Sequence, residues 1–174
     1  MQQVYIPSER MQKLLEDKKL IKKVENLCNC KIEMADDELI QINGEAVAEF
    51  SARNIIYAFG RGFDIDVACK LINNDYYFTS IDLEQIFGSE KRVQQIRARV
   101  IGENGRTKKY IESVSLANIS IYGKTISFIG TITEVNEAEV AVNTLIEGGT
   151  HRVAYSRMEA AHRKNRETTH NPEF

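Results

Sequence analysis

Apolar positions along the chain follow two spacings, and the two succeed one another in the same order twice. In "QVYIP" (residues 3–7), "CKIEM" (30–34) and "ELIQI" (38–42) they recur every second position, as in a strand with one covered face. In "SERMQKLL" (8–15), "KKLIKKVENL" (18–27) and "EAVAEFSARNIIYAF" (45–59) they recur every third or fourth, as along one side of a helix, and Gly60 ends the last of these. Residues 1–62 therefore predict the order β-α-α-β-β-α. From residue 93 the order returns. A strand is predicted over "VQQIRAR" (93–99), a short helix around "RVIG" (99–102), and a second helix over "RTKKYIESVSL" (106–116) with Ile111 and Val114 on one face. Strands "NISIY" and "TISFIG" follow, turned at Gly123, and then a helix "VNEAEVAVNTLIEG" closed by Gly148 and Gly149.

The recurrence extends to single residues. A shift of 87 sets Arg10 on Arg97, Glu16 on Glu103, Val24 on Ile111, Glu25 on Glu112, Ile32 on Ile119 and Ile42 on Ile129. Two more residues of shift set Ala52 on Ala141 and Gly60 on Gly149. The matches are mostly apolar, so the copies share a core more than a surface. The predicted fold is α+β: two units, each a three-stranded sheet covered by helices on one face, at 1–62 and 93–150. Residues 63–92 are too apolar for a flexible linker and predict a connector with short helices at 64–73 and 81–87. Residues 151–174 predict a basic C-terminal helix that frays after Arg166 into a tail.

Net charge is −2, which argues against a general polyanion binder, but its distribution is uneven. Residues 1–90 hold 10 basic and 16 acidic side chains, whereas 91–110 hold seven basic side chains and one acid, Glu103. That basic peak centres on Gly102-Glu103-Asn104-Gly105, between the first two helices of the second unit. Glycine there lets a phosphodiester approach the backbone, and the helix that follows presents N–H groups and the positive end of its dipole. Arg106, Lys108 and Lys109 add fixed positive charge. Arg97 and Arg99, just before the loop, either reach phosphate or are ordinary surface charge. Ile101 and Ile119 either line the nucleotide groove or belong to the core. Lys124, in the hairpin "YGKT", projects beside the groove, and Tyr122 either stacks on a base or caps the sheet edge. The competing reading of the two glycines is a plain helix–helix turn.

These features together resemble the type I KH domain, which clamps about four single-stranded nucleotides at a G-x-x-G loop. Over nearly the whole chain, "RARVIGENGRTKKYIE", "ISIYGKTISFIG", "GRGF", "NNDYYFTSIDLEQIFG" and "GGTHRVAYSRME" resemble the archaeal tandem-KH proteins of the partner-of-Nob family. The resemblance implies a single-stranded RNA-binding protein of small-subunit rRNA maturation. It implies binding near the rRNA 3′ end, a Nob-type endonuclease as partner, and the alpha subunit of initiation factor two as another. The chain starts almost at its first strand, without the long N-terminal extension of eukaryotic members, which favours the archaeal type. The first unit departs from the pattern: "LEDK" (15–18) is aligned with GENG and predicts a degenerate KH domain that serves as scaffold or protein-docking unit. Lys18, Lys19, Lys22 and Lys23 leave a weak electrostatic contact with phosphate open there.

Little points to catalysis, and the expectation is a protein that is not an enzyme. His151, His162 and His170 lie in the C-terminal segment outside any metal-binding pattern, and neither a G-x-S-x-G elbow nor a Walker loop is present. No cofactor or metal is expected: Cys28, Cys30 and Cys69 are odd in number and lack paired zinc spacing. No run of about 20 apolar residues suggests a membrane span, and the N-terminus lacks a signal pattern, so a cytoplasmic location is expected. Two other classes remain open: a protein-interaction adaptor working through the acidic first unit, and a general KH-type regulator of mRNA or RNA decay.

Overall fold

The computed structural model of the chain describes residues 1–170. It divides into two units, one over Met1–Phe78 and one from Thr79 onward. The first follows the predicted order: β1 (Gln2–Tyr5), α1 (Ser8–Glu16), α2 (Lys18–Cys28), β2 (Lys31–Met34), β3 (Leu39–Asn43) and α3 (Ala46–Gly60). β3 is central and antiparallel to both neighbours, with Ile42 opposite Gln2 on one side and Ile32 on the other. Alternation does what it predicts: Val4, Ile32, Ile40 and Ile42 are buried, together with Leu14, Val24, Ile55 and Ile56 from the helices. A short helix, α4 (Ile65–Ala68), and a 3-10 turn over Cys69–Ile72 complete this unit, close to the predicted helical stretch.

The second unit comprises β4 (Tyr77–Asp82), α5 (Leu83–Phe87), α6 (Glu90–Ile101), α7 (Arg106–Ser115), β5 (Asn118–Tyr122), β6 (Thr125–Gly130), α8 (Ile132–Ile146) and α9 (His151–His170). Its sheet has the same order as the first, β4-β6-β5, with Ile119 opposite Phe128 and Ile121 opposite Ile126. A capping box starts α8, with the Thr131 side chain and Glu134 exchanging hydrogen bonds across its first turn.

One predicted element is overturned. Residues 93–99 are not a strand but the middle of α6, and the unit's first strand is Tyr77–Asp82, within the stretch read as connector. Val93, Ile96 and Val100 are the buried positions, three and four apart, which is a helical face. The fixed shift hid an insertion, because only Ile6 and Pro7 separate β1 from α1, while α5 and its flanks separate β4 from α6. The C-terminal helix runs through His170 rather than fraying after Arg166, and the end of the predicted tail lies outside the described residues.

Where the repeat was legible, it persists in hydrogen bonds. The Glu25 carboxylate accepts the Ile32 backbone N–H at 2.9 Å, and Glu112, 87 residues on, accepts the Ile119 N–H at 2.8 Å. Asn29 and Leu116, also 87 apart, both end their helix in the left-handed conformation, at φ +56° and +66°. The ends of α3 and α8 also each receive an arginine, although the second is Arg99 and not Arg97, on which the shift of 87 sets Arg10. Arg10 donates to the Phe59 and Phe63 carbonyls at 2.9 and 2.6 Å, and Arg99 donates to those of Leu145, at 3.1 Å, and Gly149.

Candidate nucleic-acid interface

α6 stops at Ile101 because Gly102 leaves helical space, with φ +73° and ψ +173°, a region essentially reserved for glycine. The Gly102 N–H still bonds the Ala98 carbonyl at 2.9 Å and closes the helix. Glu103–Gly105 then make one 3-10 turn with Asn104 and Gly105 left-handed, at φ +53° and +74°. Gly105 is the N-cap of α7 and offers no side chain to its first turn. Glu103, Asn104, Arg106 and Lys109 are exposed around this turn. Neither Arg106 nor Lys109 is in an ion pair among the described residues, so their charge is available to a ligand.

The two glycines differ in what surrounds them. A Cβ on Gly102 would lie 2.7 Å from Thr107 Cβ and 2.8 Å from the Thr107 backbone nitrogen, so this position lets the loop fold against its own helix. A Cβ on Gly105 would meet nothing within 4 Å. Close approach from outside is therefore the property of Gly105, and Gly102 has a structural role.

The other predicted residues divide in the same way. Arg99 is committed to the carbonyls ending α8, and the His151 ring contacts the Arg99 carbonyl at 2.9 Å. Arg97 is half-buried on α6, and its Nε has no hydrogen-bond partner among the described residues. Ile101 is half-buried next to the loop, whereas Ile119 is 3% exposed and belongs to the core. Lys108 pairs with Glu112 one turn along α7, at 3.2 Å. Lys124 is exposed in the β5–β6 hairpin and is held by Glu84 and, at 3.7 Å, by Glu90. Its hydrogen bond to Glu84, with Glu90 adding to the effect, holds its ammonium above the usual lysine range. Glu90 begins α6 and GENG follows its end, so Lys124 is about 16 Å along that helix from the loop. Tyr122 is half-buried at the end of β5.

Residues behind the loop carried no signal in the spacing. The Tyr155 hydroxyl donates to Thr107 Oγ1 at 3.2 Å, the Tyr110 and Tyr155 rings lie 4.4 Å apart, and the Tyr110 hydroxyl bonds Glu159. The partners are 45 to 49 positions apart in the chain, so only the packing of α9 on α7 brings them together.

In the first unit the equivalent site does not exist. "LEDK" is not a loop: Leu15 and Glu16 are in α1, Lys18 begins α2, and Asp17 alone joins the two helices. The Asp17 carboxylate accepts the Lys19 N–H at 3.0 Å, so the helix start already holds an anion of its own. Elsewhere, burial pushes the Cys28 thiol up to about 11, and no cluster of histidine, cysteine and carboxylate ligands is placed to hold a metal ion among the described residues. No helix among them is long and apolar enough to cross a membrane.

Comparison with known proteins agrees with this fold. A PNO1 family model described as eukaryotic type KH-domain (KH-domain type I) matches residues 77–163, from β4 into α9. The KH domain-containing protein MJ0443 of Methanocaldococcus jannaschii is 34% identical over 165 residues, covering 91% of this chain and 73% of that protein. The pre-rRNA-processing protein pno1 of Emericella nidulans is 34% identical over 98 residues, covering 55% of this chain but only 38% of its own length. Among solved structures, Dim2p of Pyrococcus horikoshii superposes with a TM-score of 0.82 at 32% identity, over 91% of this chain and 98% of that one. The aDim2p structure described as an a/eIF2alpha-aDim2p-rRNA complex from the same organism gives 0.84 at 31% identity, with 94% of each chain covered.

Proposed function

The chain belongs to the PNO1 family of KH-domain proteins, and we propose that it is a single-stranded RNA-binding protein of small-subunit rRNA maturation whose second unit holds the RNA. The observation that carries this reading is the contrast at the two helix starts. α7 begins at a glycine with open space around it and exposed Arg106 and Lys109 beside it, whereas α2 begins at an aspartate that occupies the same kind of position. A phosphate at Gly105 meets backbone N–H groups, a favourable dipole and two cations; at Asp17, although Lys18 and Lys19 are exposed beside it, it meets a carboxylate that already holds the helix N–H. Relatives named for pre-rRNA processing, and a Dim2p structure described as containing rRNA, support the ribosomal assignment.

The clamp performs no chemistry. It fixes about four nucleotides through their backbone, leaving their base edges free to be read. We place the bound strand near the 3′ end of the small-subunit rRNA, where holding it extended would position it for a separate Nob-type endonuclease. The first unit, with its helix start self-capped, is left as scaffold or protein-docking unit. The alpha subunit of initiation factor two is a candidate partner, since the related Dim2p structure is described as a complex with it.

The test is the affinity of the full chain for a short RNA from the 3′ end of the small-subunit rRNA, compared with a scrambled RNA and with the Gly105→Asp variant. The proposal expects preference for the ribosomal sequence and a loss of at least tenfold on placing a carboxylate at Gly105. Equal binding of both RNAs would overturn the ribosomal assignment, and equal binding by the variant would overturn the clamp.

A further inference from the structure

α9 is a twenty-residue helix added after the β-α-α-β-β-α order is complete, and its two sides differ. At 100° per residue, one side carries Ala154 and Met158, both buried, with Tyr155, His162 and Asn165. These side chains attach the helix to its unit. Tyr155 bonds Thr107, and His162 and Asn165 bond the two oxygens of the buried Glu137 carboxylate at 2.7 and 2.8 Å. The opposite side carries Arg152, Ser156, Arg157, Arg163 and Lys164, all exposed, and a single acid, Glu167, in the last described turns. Arg157 also reaches Thr144 Oγ1 at 3.5 Å, which leaves Arg152, Arg163, Lys164 and, on the flank beside Glu159, Arg166 with no partner among the described residues. In a chain of net charge −2, an unpaired row of this sign is a feature to explain.

Its position supplies the explanation. Arg152 and Arg163 lie on the edge of α9 next to Glu159, whose carboxylate accepts the Tyr110 hydroxyl, so this edge borders α7. Tyr110 follows directly on Lys109 of the clamp, and Thr107, bonded to Tyr155, is the residue against which Gly102 packs. The basic edge of α9 thus begins at the rear of the GENG turn and runs about 16 Å from Arg152 to Arg163.

Resting on the reading that GENG binds RNA, we propose that the outer edge of α9 is a second phosphate track, which takes the RNA backbone on beyond the four clamped nucleotides. Its chemistry is that of charge without base recognition: three exposed cations on a rigid helix, Arg152, Arg163 and Arg166, within about 60° of one another around its axis, and few exposed rings to stack a base. The track lengthens the footprint on RNA without altering the sequence read at the clamp.

The experiment measures binding of the full chain to a four-nucleotide and a twelve-nucleotide single-stranded RNA over a range of salt. It compares the wild type with Arg152→Ala/Arg163→Ala/Arg166→Ala and with Gly105→Asp. Circular dichroism confirms that each variant is folded. The triple variant is expected to bind the short RNA within about twofold of wild type and the long RNA about tenfold more weakly. Its salt slope on the long RNA should fall by about 2, from three lost contacts at about 0.7 each. Unchanged binding of the long RNA, or equal losses on both lengths, would overturn the track. Failure of the clamp reading shows separately, as short-RNA binding that survives Gly105→Asp.

Discussion

Gly102 and Gly105 have nearly the same φ, but one faces Thr107 and the other faces open space. Their substitutions should therefore separate folding from binding. Gly102→Ala places a side chain in a region that only glycine adopts and against Thr107, and should cost about 3 kcal/mol of unfolding free energy in a urea titration. Gly105→Ala adopts an ordinary left-handed conformation without collision and should cost about 1 kcal/mol. Comparable losses for the two would show that the surroundings of Gly105 are tighter than described. The spacing of the pair was legible in the sequence, and so was the charge around it. Which glycine faces outward was not, since it depends on where Thr107 lies once α7 has formed. Arg99 shows the same limit: beside the loop in sequence it reads as a phosphate ligand, but it is held by carbonyls 46 and 50 residues away.

Among elements, the most informative difference is between the joints of the two helix pairs. α1 and α2 are joined by Asp17 alone, whereas α6 and α7 are joined by four residues. The alignment by shift made LEDK and GENG equivalent because the helices on either side share apolar positions. The number of residues needed to turn the corner is fixed by the geometry of the turn, which apolar spacing does not report. The same blindness placed a strand over 93–99, whereas Val93, Ile96 and Val100 are in fact buried at helical spacing. α9 is the element that spacing alone least explains, and its worth can be measured. Ending the chain at Thr150 would remove Met158 and Ala154 from the core, along with the hydrogen bonds to Thr107 and Glu137. We expect a loss of about 4 kcal/mol in chemical denaturation of the second unit, with the first unit's transition unmoved. An unchanged second transition would mean that α9 contributes no stability.

At the scale of the molecule, one fold occurs twice with different surfaces. The repeat preserved what a sheet and its helices need: the carboxylates of Glu25 and Glu112 on the same backbone group, the left-handed helix ends, and arginines on the last carbonyls of α3 and α8. It preserved charge only in part: segment 91–110 holds seven basic side chains and one acid, whereas the equivalent 4–23 holds six and three, two of those acids, Glu16 and Asp17, at the helix joint. That divergence supports a division of labour in which one unit holds RNA and the other does not. The most direct measurement follows the backbone amide resonances of the full chain while a four-nucleotide single-stranded RNA is added. The account predicts that amides over 102–109 shift with RNA concentration and saturate together, while those of Asp17 through Lys22 stay in place. Shifts at Asp17–Lys22 of similar size, or still resonances over 102–109, would contradict it.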